Sequence, residues 1–320
     1  MKPAHILVTG GAGCIGSELC AALVARGDSV VALDNLSSGK EEHVAALRNR
    51  PNFRLVVGDL LDPTALDQVV SGSEIVYHLA ANPDVKFTPD APDRDLRQNT
   101  LATHALLEAM RRHQVRRLAF ASTSAIYGVS PRQPIPEDQA PRPISLYGAT
   151  KLACEAMIGA YQHLFGLQCW VFRFANIVGG KSRAKGRTVL SDFVAKLRAD
   201  PRRLEILGDG RQAKSYLAAD ECVAAMLFAV EHAREPLNIF NLGGDDALTV
   251  RRIAEMVAAQ MGLREIEFSF TGGEAGWPGD VPRFRLDVTA INRLGWRARR
   301  TSEQAVAEAI KALLESEPRP

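Results

Sequence analysis

Ile6-Leu7-Val8-Thr9-Gly10-Gly11-Ala12-Gly13-Cys14-Ile15-Gly16 is an apolar run that enters a glycine turn and leaves it in a helical pattern, Ile15 to Arg26. Glycines at 10, 13 and 16 permit a tight turn, close approach of backbone to a pyrophosphate, and close packing of helix on sheet. The N–H groups of a helix starting at Cys14 and Ile15 then face the phosphates. A glycine triplet alone says little; the strand before it and the helix after it supply the context of a dinucleotide site. The next strand-like run ends at Asp34, 18 residues past Gly16. A carboxylate there accepts both hydroxyls of an adenosine ribose and repels a 2′-phosphate, which predicts NAD over NADP. Asn35, Leu36, Ser38 and Gly39 continue that turn. Asp59-Leu60 ends the third strand, where an adenine edge would lie, and Leu79-Ala80-Ala81 ends the fourth.

Outward from this unit, short apolar runs alternate with amphipathic stretches. Val30 to Leu33, Phe53 to Val57, Ile75 to Leu79, Leu118 to Ala121 and Trp170 to Arg173 are strand-sized. Pro63 to Val70, Leu96 to His113 and Leu146 to Phe165 have helical spacing. This alternation predicts an α/β fold: a doubly wound parallel sheet with helices on both faces and right-handed crossovers. The rhythm changes near Asn176, where Gly179 to Gly186 is a polar loop. Helices near 188–199, 219–232, 249–261 and 301–315 follow, separated by strand fragments and Gly/Pro turns. Residues 1–175 are read as the dinucleotide-binding domain and 176–320 as a smaller mixed α/β substrate domain. Leu237 to Leu242 is apolar enough to return to the first sheet.

The 320 residues carry 39 Lys+Arg against 37 Asp+Glu, a net charge of +2. So even a balance argues against a nucleic-acid binder. No stretch approaches the roughly 18 apolar residues of a membrane span. The glycine turn arrives within ten residues of Met1, which leaves little room for a leader. The five cysteines are scattered without a CxxC pair, as expected of reduced thiols in a cytoplasmic protein rather than a disulfide framework or metal site.

Tyr147-Gly148-Ala149-Thr150-Lys151 carries chemistry. On a helix, positions i and i+4 share a face, so phenol and ammonium point into one site. A nearby cation favours phenolate and lowers the tyrosine pKa, which suits a general acid/base. The segment Ala121 to Gly128 follows the fifth strand at the same sheet edge and offers hydroxyls at Ser122, Thr123 and Ser124.

With these motifs in order, the chain resembles the extended short-chain dehydrogenases/reductases, in particular the nucleotide-sugar epimerase and dehydratase group. The resemblance rests on Thr9 to Gly16, Asp34 to Leu36, Gly58 to Leu60, His78 to Ala81, Asn99, Ser122 to Gly128, Tyr147 with Lys151, and Arg173 to Asn176. Leu207 to Leu217 and Gly276 to Asp280 are similar to elements of that group's substrate domain. It implies that Thr123 bonds the sugar hydroxyl, Tyr147 is the base, and Lys151 serves both ribose and phenol. Ser122 and Phe174 would lie at the nicotinamide end, and Asn99 would hold the backbone near the tyrosine. Asn176 and Asp280 would meet the sugar nucleotide and Lys214 its diphosphate. Lys214 stands where the group has Arg, and a point charge replaces a bidentate fork. Contacts to the diphosphate would then be redistributed onto Arg187, Arg211 or Arg283.

The group's dehydratases place Asp-Glu after the threonine, and its decarboxylases a Glu one residue later. Here Ser124 and Ala125 occupy those positions. The resemblance therefore implies C4 epimerisation of a UDP-linked hexose or hexuronic acid through a 4-keto intermediate, with NAD regenerated in each cycle. UDP-glucuronate decarboxylation, 4-keto reduction and a dinucleotide-sensing protein without turnover are the alternatives. Apolar residues on 96–113 and 146–165 (Leu101, Ala105, Leu106, Met157, Ile158) predict a homodimer built on a helical bundle.

Overall fold

The computed structural model describes residues 4–82, 92–180, 188–277 and 279–316. In chain order the strands are β1 (His5–Thr9), β2 (Ser29–Asp34), β3 (Phe53–Val57), β4 (Ile75–His78), β5 (Arg117–Thr123), β6 (Gln168–Phe174) and β7 (Asn176–Val178). They continue with β8 (Arg203–Ile206), β9 (Ala213–Lys214), β10 (Tyr216–Ala218), β11 (Leu237–Leu242), β12 (Leu248–Thr249), β13 (Glu267–Phe270) and β14 (Arg283–Phe284). The first five helices are α1 (Cys14–Arg26), α2 (Pro63–Val70), α3 (Pro92–Asp95), α4 (Ala102–Arg112) and α5 (Leu146–Phe165). The rest are α6 (Val189–Ala199), α7 (Ala219–His232), α8 (Val250–Gln260), α9 (Thr289–Leu294) and α10 (Ser302–Ser316).

Seven strands pair in the order β11-β6-β5-β4-β1-β2-β3, all of them parallel. Parallel strands covered on both faces read as continuous apolar runs rather than as alternation. Ile6 and Val8 pack on the layer that holds α1 and α7. Leu7, between them, packs on the opposite layer with α2, α4 and α5. A third core gathers Leu190, Phe193, Ile253, Val257, Ile310 and Leu313 from α6, α8 and α10. Small sheets lie beside this core: β7 with β10, β8 with β13, and β9 between β12 and β14.

Local sequence explains the helix ends that matter. α1 leaves the glycine turn with no side-chain cap and stops at Gly27, whose φ of +95° is left-handed. Ser145 caps α5 by accepting from the Gly148 N–H, and Gly166 ends it in the left-handed conformation. β1 lies between β2 and β4, where the strand order reverses. The crevice beyond the carboxyl ends of the strands opens at that switch point.

Two features depart from expectation. The helix read over 96–113 is α4 preceded by a π-helical stretch, Leu96–Leu101. A π turn holds more residues than an α turn, and this one contains the fully buried Asn99. Leu106 and Ile158 are not interface candidates: both are fully buried in the chain's own core, whereas Leu101 is exposed.

Candidate active site

A cavity of about 1280 Å³ runs from Asp34 and Asp59, along the glycine turn, to Tyr147 and Lys151. Gly10, Gly13, Cys14, Ile15 and Gly16 line one stretch of it. Gly10 has a φ of +70°, and a Cβ there would stand 2.7 Å from the Ala80 nitrogen. A Cβ on Gly16 would collide with the Gly10 carbonyl. The turn therefore folds as it does only with glycine at both places. Leu79, Ala80 and Ala81 also line the cavity, as do Asn35, Ser38, Gly39 and Leu60.

Asp34 is buried at the end of β2. Its two oxygens accept from the Ala12 N–H and the Leu36 N–H, both at 2.9 Å. Asn35 donates to Asp59 at 2.8 Å, so these two polar ends are fixed together. Leu36 bends the chain with a φ of +58° and does not line the cavity. Because Asp34 both faces the cavity and ties down the turn, Asp34→Asn should keep most of the fold while losing the charge. We expect NAD affinity to fall at least about tenfold, with little or no loss for NADP, read by titration with both dinucleotides. An unchanged ratio of the two affinities would remove Asp34 from cofactor choice.

At the other end, the parallel register of β5 and β6 sets Ser122 beside Arg173 and Thr123 beside Phe174. Ser122 and Phe174 line the cavity with Tyr147 and Lys151. The Thr123 hydroxyl accepts from the Ala125 N–H at 3.1 Å, capping the short turn Ser124–Ile126. Lys151 is buried, donates to the Ala121 carbonyl at 2.7 Å, and lies 4.6 Å from the centre of the Phe120 ring. Burial pushes its ammonium down to about 8, against the opposing pull of Cys154 and Glu155. His78 bridges the Thr9 and Thr103 hydroxyls beneath the cavity, and burial pushes it down to about 3, so it is neutral.

Tyr147 corrects one expectation. Burial pushes its phenol up to about 12, although the Thr123 hydroxyl pulls the other way. Loss of hydration outweighs that hydrogen bond, and the Lys151 ammonium is turned onto a backbone carbonyl. Asn99 stands behind the cavity wall: its side chain donates to Thr150 and accepts from the Asn82 N–H, both at 3.0 Å. Thr150 in turn donates to the Tyr147 carbonyl at 3.0 Å.

Of the predicted substrate residues, Asn176, Lys214, Asp280 and Arg283 meet around β9 and β10, but none of them lines the cavity. Lys214 and Asp280 form an ion pair with each other. The Asn176 side chain bonds Tyr216, its strand β7 pairing with β10. Arg211 and Arg283 are exposed, and Arg187 lies outside the described residues. Several lining residues carried no expectation, among them Trp277, Lys40 and His43. Trp277 sits within a motif already singled out, but its aromatic ring had no assigned task. Lys40 and His43 follow the Asp34 turn, the first just before and the second within a 3-10 segment, Glu41–Leu47, that carries no periodic signal.

The family model for the NAD dependent epimerase/dehydratase family matches residues 6–243. The chain belongs to this family. It is 32% identical over 308 residues to a UDP-glucose 4-epimerase of Mycolicibacterium smegmatis, covering 95% of this chain and 97% of that protein. Among solved structures it is similar to a UDP-galactose 4-epimerase, with 40% identity, a TM-score of 0.86, and 98% and 99% of the two chains covered. It is also similar to the Thermus thermophilus UDP-glucose 4-epimerase complex with NAD, at 30% identity and a TM-score of 0.86, covering 98% and 100% of the chains. The cofactor of the family is NAD, and the cavity fits one: a glycine cradle that a Cβ would fill, a buried carboxylate at one end, and a phenol–ammonium pair at the other.

Proposed function

We propose that the chain interconverts C4 epimers of a UDP-linked hexose or hexuronic acid. The observation that carries this reading is a complete proton-transfer set without a second acid. Tyr147 and Lys151 line one end of the cavity, Thr123 stands behind them with its hydroxyl on the phenol, and the turn beside them holds Ser124 and Ala125. Neither side chain can serve as the extra acid or base that elimination of water requires. Bound NAD supplies a reversible hydride acceptor for C4 and, in its oxidised form, a cationic ring that favours phenolate. Gly10, Gly13 and Gly16 with the start of α1 would hold its pyrophosphate, and Asp34 its adenosine ribose.

Tyr147 takes the C4 hydroxyl proton and later returns it; Thr123 orients that hydroxyl; Lys151 would hold the nicotinamide-side ribose and keep a positive charge near the phenol. Because hydride leaves and returns at the same carbon, no net redox change accompanies turnover. Asn176 and Lys214 would meet the nucleotide and diphosphate. A diphosphate must compete with Asp280 for the Lys214 ammonium, so one point charge serves two anions.

The test is incubation of the purified protein with UDP-glucose and UDP-glucuronic acid, with no added reductant, followed by NMR of the anomeric protons. A mixture of the two C4 epimers is expected from at least one sugar. Loss of CO₂, loss of water, stoichiometric NADH or an unchanged panel would each overturn the reading.

The same reading includes a homodimer and a cytoplasmic location. Leu96, Leu101, Leu164 and Phe165 expose 43–68% of their surface on the π turn and at the far end of α5, apolar area that a second copy would cover. Sedimentation at micromolar concentration should give about twice the 34.8 kDa chain mass; a monomer rejects the dimer. Five free cysteines, four of them buried, suit a reducing compartment. No helix among the described residues is long and apolar enough to cross a membrane.

A further inference from the structure

One helical turn beyond Lys151, Glu155 is buried in a polar network that the reaction above does not use. Its side chain is 8% exposed and that of its partner Arg173 is 6%. Arg173 grips it as a fork, with Nη2 to Oε2 at 2.7 Å and Nε to Oε1 at 3.1 Å. The Ser122 hydroxyl donates to the same carboxylate. The remaining Arg173 nitrogen donates to the Tyr127 hydroxyl at 2.9 Å and the Glu137 carbonyl at 2.8 Å. Tyr127 passes the chain on to Asn241 of β11 at 2.8 Å.

Consecutive residues at the end of β5 thus clasp consecutive turns of α5: the Ala121 carbonyl takes the Lys151 ammonium and the Ser122 hydroxyl takes Glu155. A buried ion pair seldom adds stability over apolar residues of the same volume, so this one invites a second role. Two cations, Lys151 and Arg173, are drawn into the protein interior here, and Glu155 is the anion that serves both. Asp95 of α3 acts on Tyr147, one turn before Lys151, rather than on Lys151 itself. His78 from β4 is neutral, and burial holds Cys154 and Tyr147 of α5 in their protonated forms.

We propose that Glu155 is a positioning residue for Lys151: fixed by Ser122 and Arg173, its carboxylate seats that turn of α5 on the end of β5 and keeps the buried ammonium charged. The role of Lys151 in turnover rests on the epimerase reading; the charge coupling itself does not. Without Glu155 the two cations face each other across a space of low dielectric, and the ammonium releases its proton more readily.

The experiment is an NMR pH titration of the full chain labelled with [13C]lysine, at one saturating NAD concentration throughout. With nine lysines, the Lys151 Cε signal is assigned by its disappearance in Lys151→Met. In the unaltered protein it should titrate well below the usual lysine range. In Glu155→Gln the midpoint should fall by about one unit or more, while Glu155→Asp, which retains the charge, stays within about half a unit. An unchanged midpoint in Glu155→Gln overturns the proposal. Should that variant fail to fold around its unpaired arginine, Arg173→Met tests the coupling from the other side. With the competing cation gone and the Glu155 carboxylate left to Lys151, the midpoint should rise, and an unchanged one overturns the role. The alkaline limb of kcat for the UDP-sugar should move with the NMR midpoint. If even the unaltered protein turned over no sugar, the epimerase reading would fall, and the Lys151 titration would still decide the role of Glu155.

Discussion

Tyr147→Phe should reduce kcat for the UDP-sugar by at least about 10²–10⁴-fold, the range that a positioned general acid/base contributes. The substitution removes one oxygen from a half-buried ring at the start of α5, so the helix, its Ser145 cap and the cavity stay as they are. Thermal midpoint and NAD affinity should therefore change little. Thr123→Ala should cost less in rate, because it deletes an orienting hydrogen bond and leaves the proton acceptor in place. It also frees the Ala125 N–H that Thr123 now caps, so a small loss of stability is expected alongside. Lys151→Met should harm both rate and NAD retention. Near-normal turnover by Tyr147→Phe with a crippled Thr123→Ala would transfer the base to another group. Normal turnover by all three variants would remove this site from the chemistry.

Gly16→Ala is expected to weaken NAD binding by about 10–100-fold, equivalent to the roughly 1–3 kcal/mol that overpacking costs. In a helix interior, alanine ordinarily stabilises by about 1 kcal/mol relative to glycine. Here the sign reverses, since the new Cβ would meet the Gly10 carbonyl, a backbone atom that moves only if the whole turn moves. Gly159→Ala provides the contrast within α5. A Cβ there meets nothing within 4 Å, so that variant should bind NAD normally and melt no lower. Equal NAD affinity in Gly16→Ala and the parent protein would show that the turn is not the pyrophosphate cradle.

The fold was legible because its strands are buried on both faces. Ile6-Leu7-Val8 and Trp170-Val171-Phe172 have no polar residue to interrupt them, and the glycine turn marks where the first crossover begins. The π-helical stretch was hidden, because between its end residues Leu96 and Leu101 it is polar and carries no periodicity of its own ahead of the regular helix. The lining residues of the glycine turn, Asp34 and Leu79 to Ala81 could be picked out from spacing, since they hang on backbone turns at strand ends. The sugar side could not. Lys214, Asp280 and Arg283 come from short strands and turns whose pairing spans more than 60 residues, and nothing local shows that Lys214 would face Asp280. The phenol of Tyr147 also escaped, because its displacement depends on how much water the fold removes, which no i, i+4 pattern reports.

The position of β11 bears on how the protein is made. Leu237–Leu242 occupies the outer side of β6, matching Asn238 to Trp170 and Leu242 to Phe174. Between these partners the chain runs through β7 to β10 with α6 and α7, so the sheet's last seam closes only after some 240 residues have left the ribosome. Until then β6 is an edge strand carrying Trp170 and Phe172, side chains with no exposure in the finished protein. A chain truncated after Ala175 would hold the glycine turn, Asp34, Tyr147 and Lys151, yet present that bare edge to its neighbours. Such a fragment is expected to aggregate during expression rather than accumulate as a cofactor-binding unit, and supplying the β11 segment should relieve it.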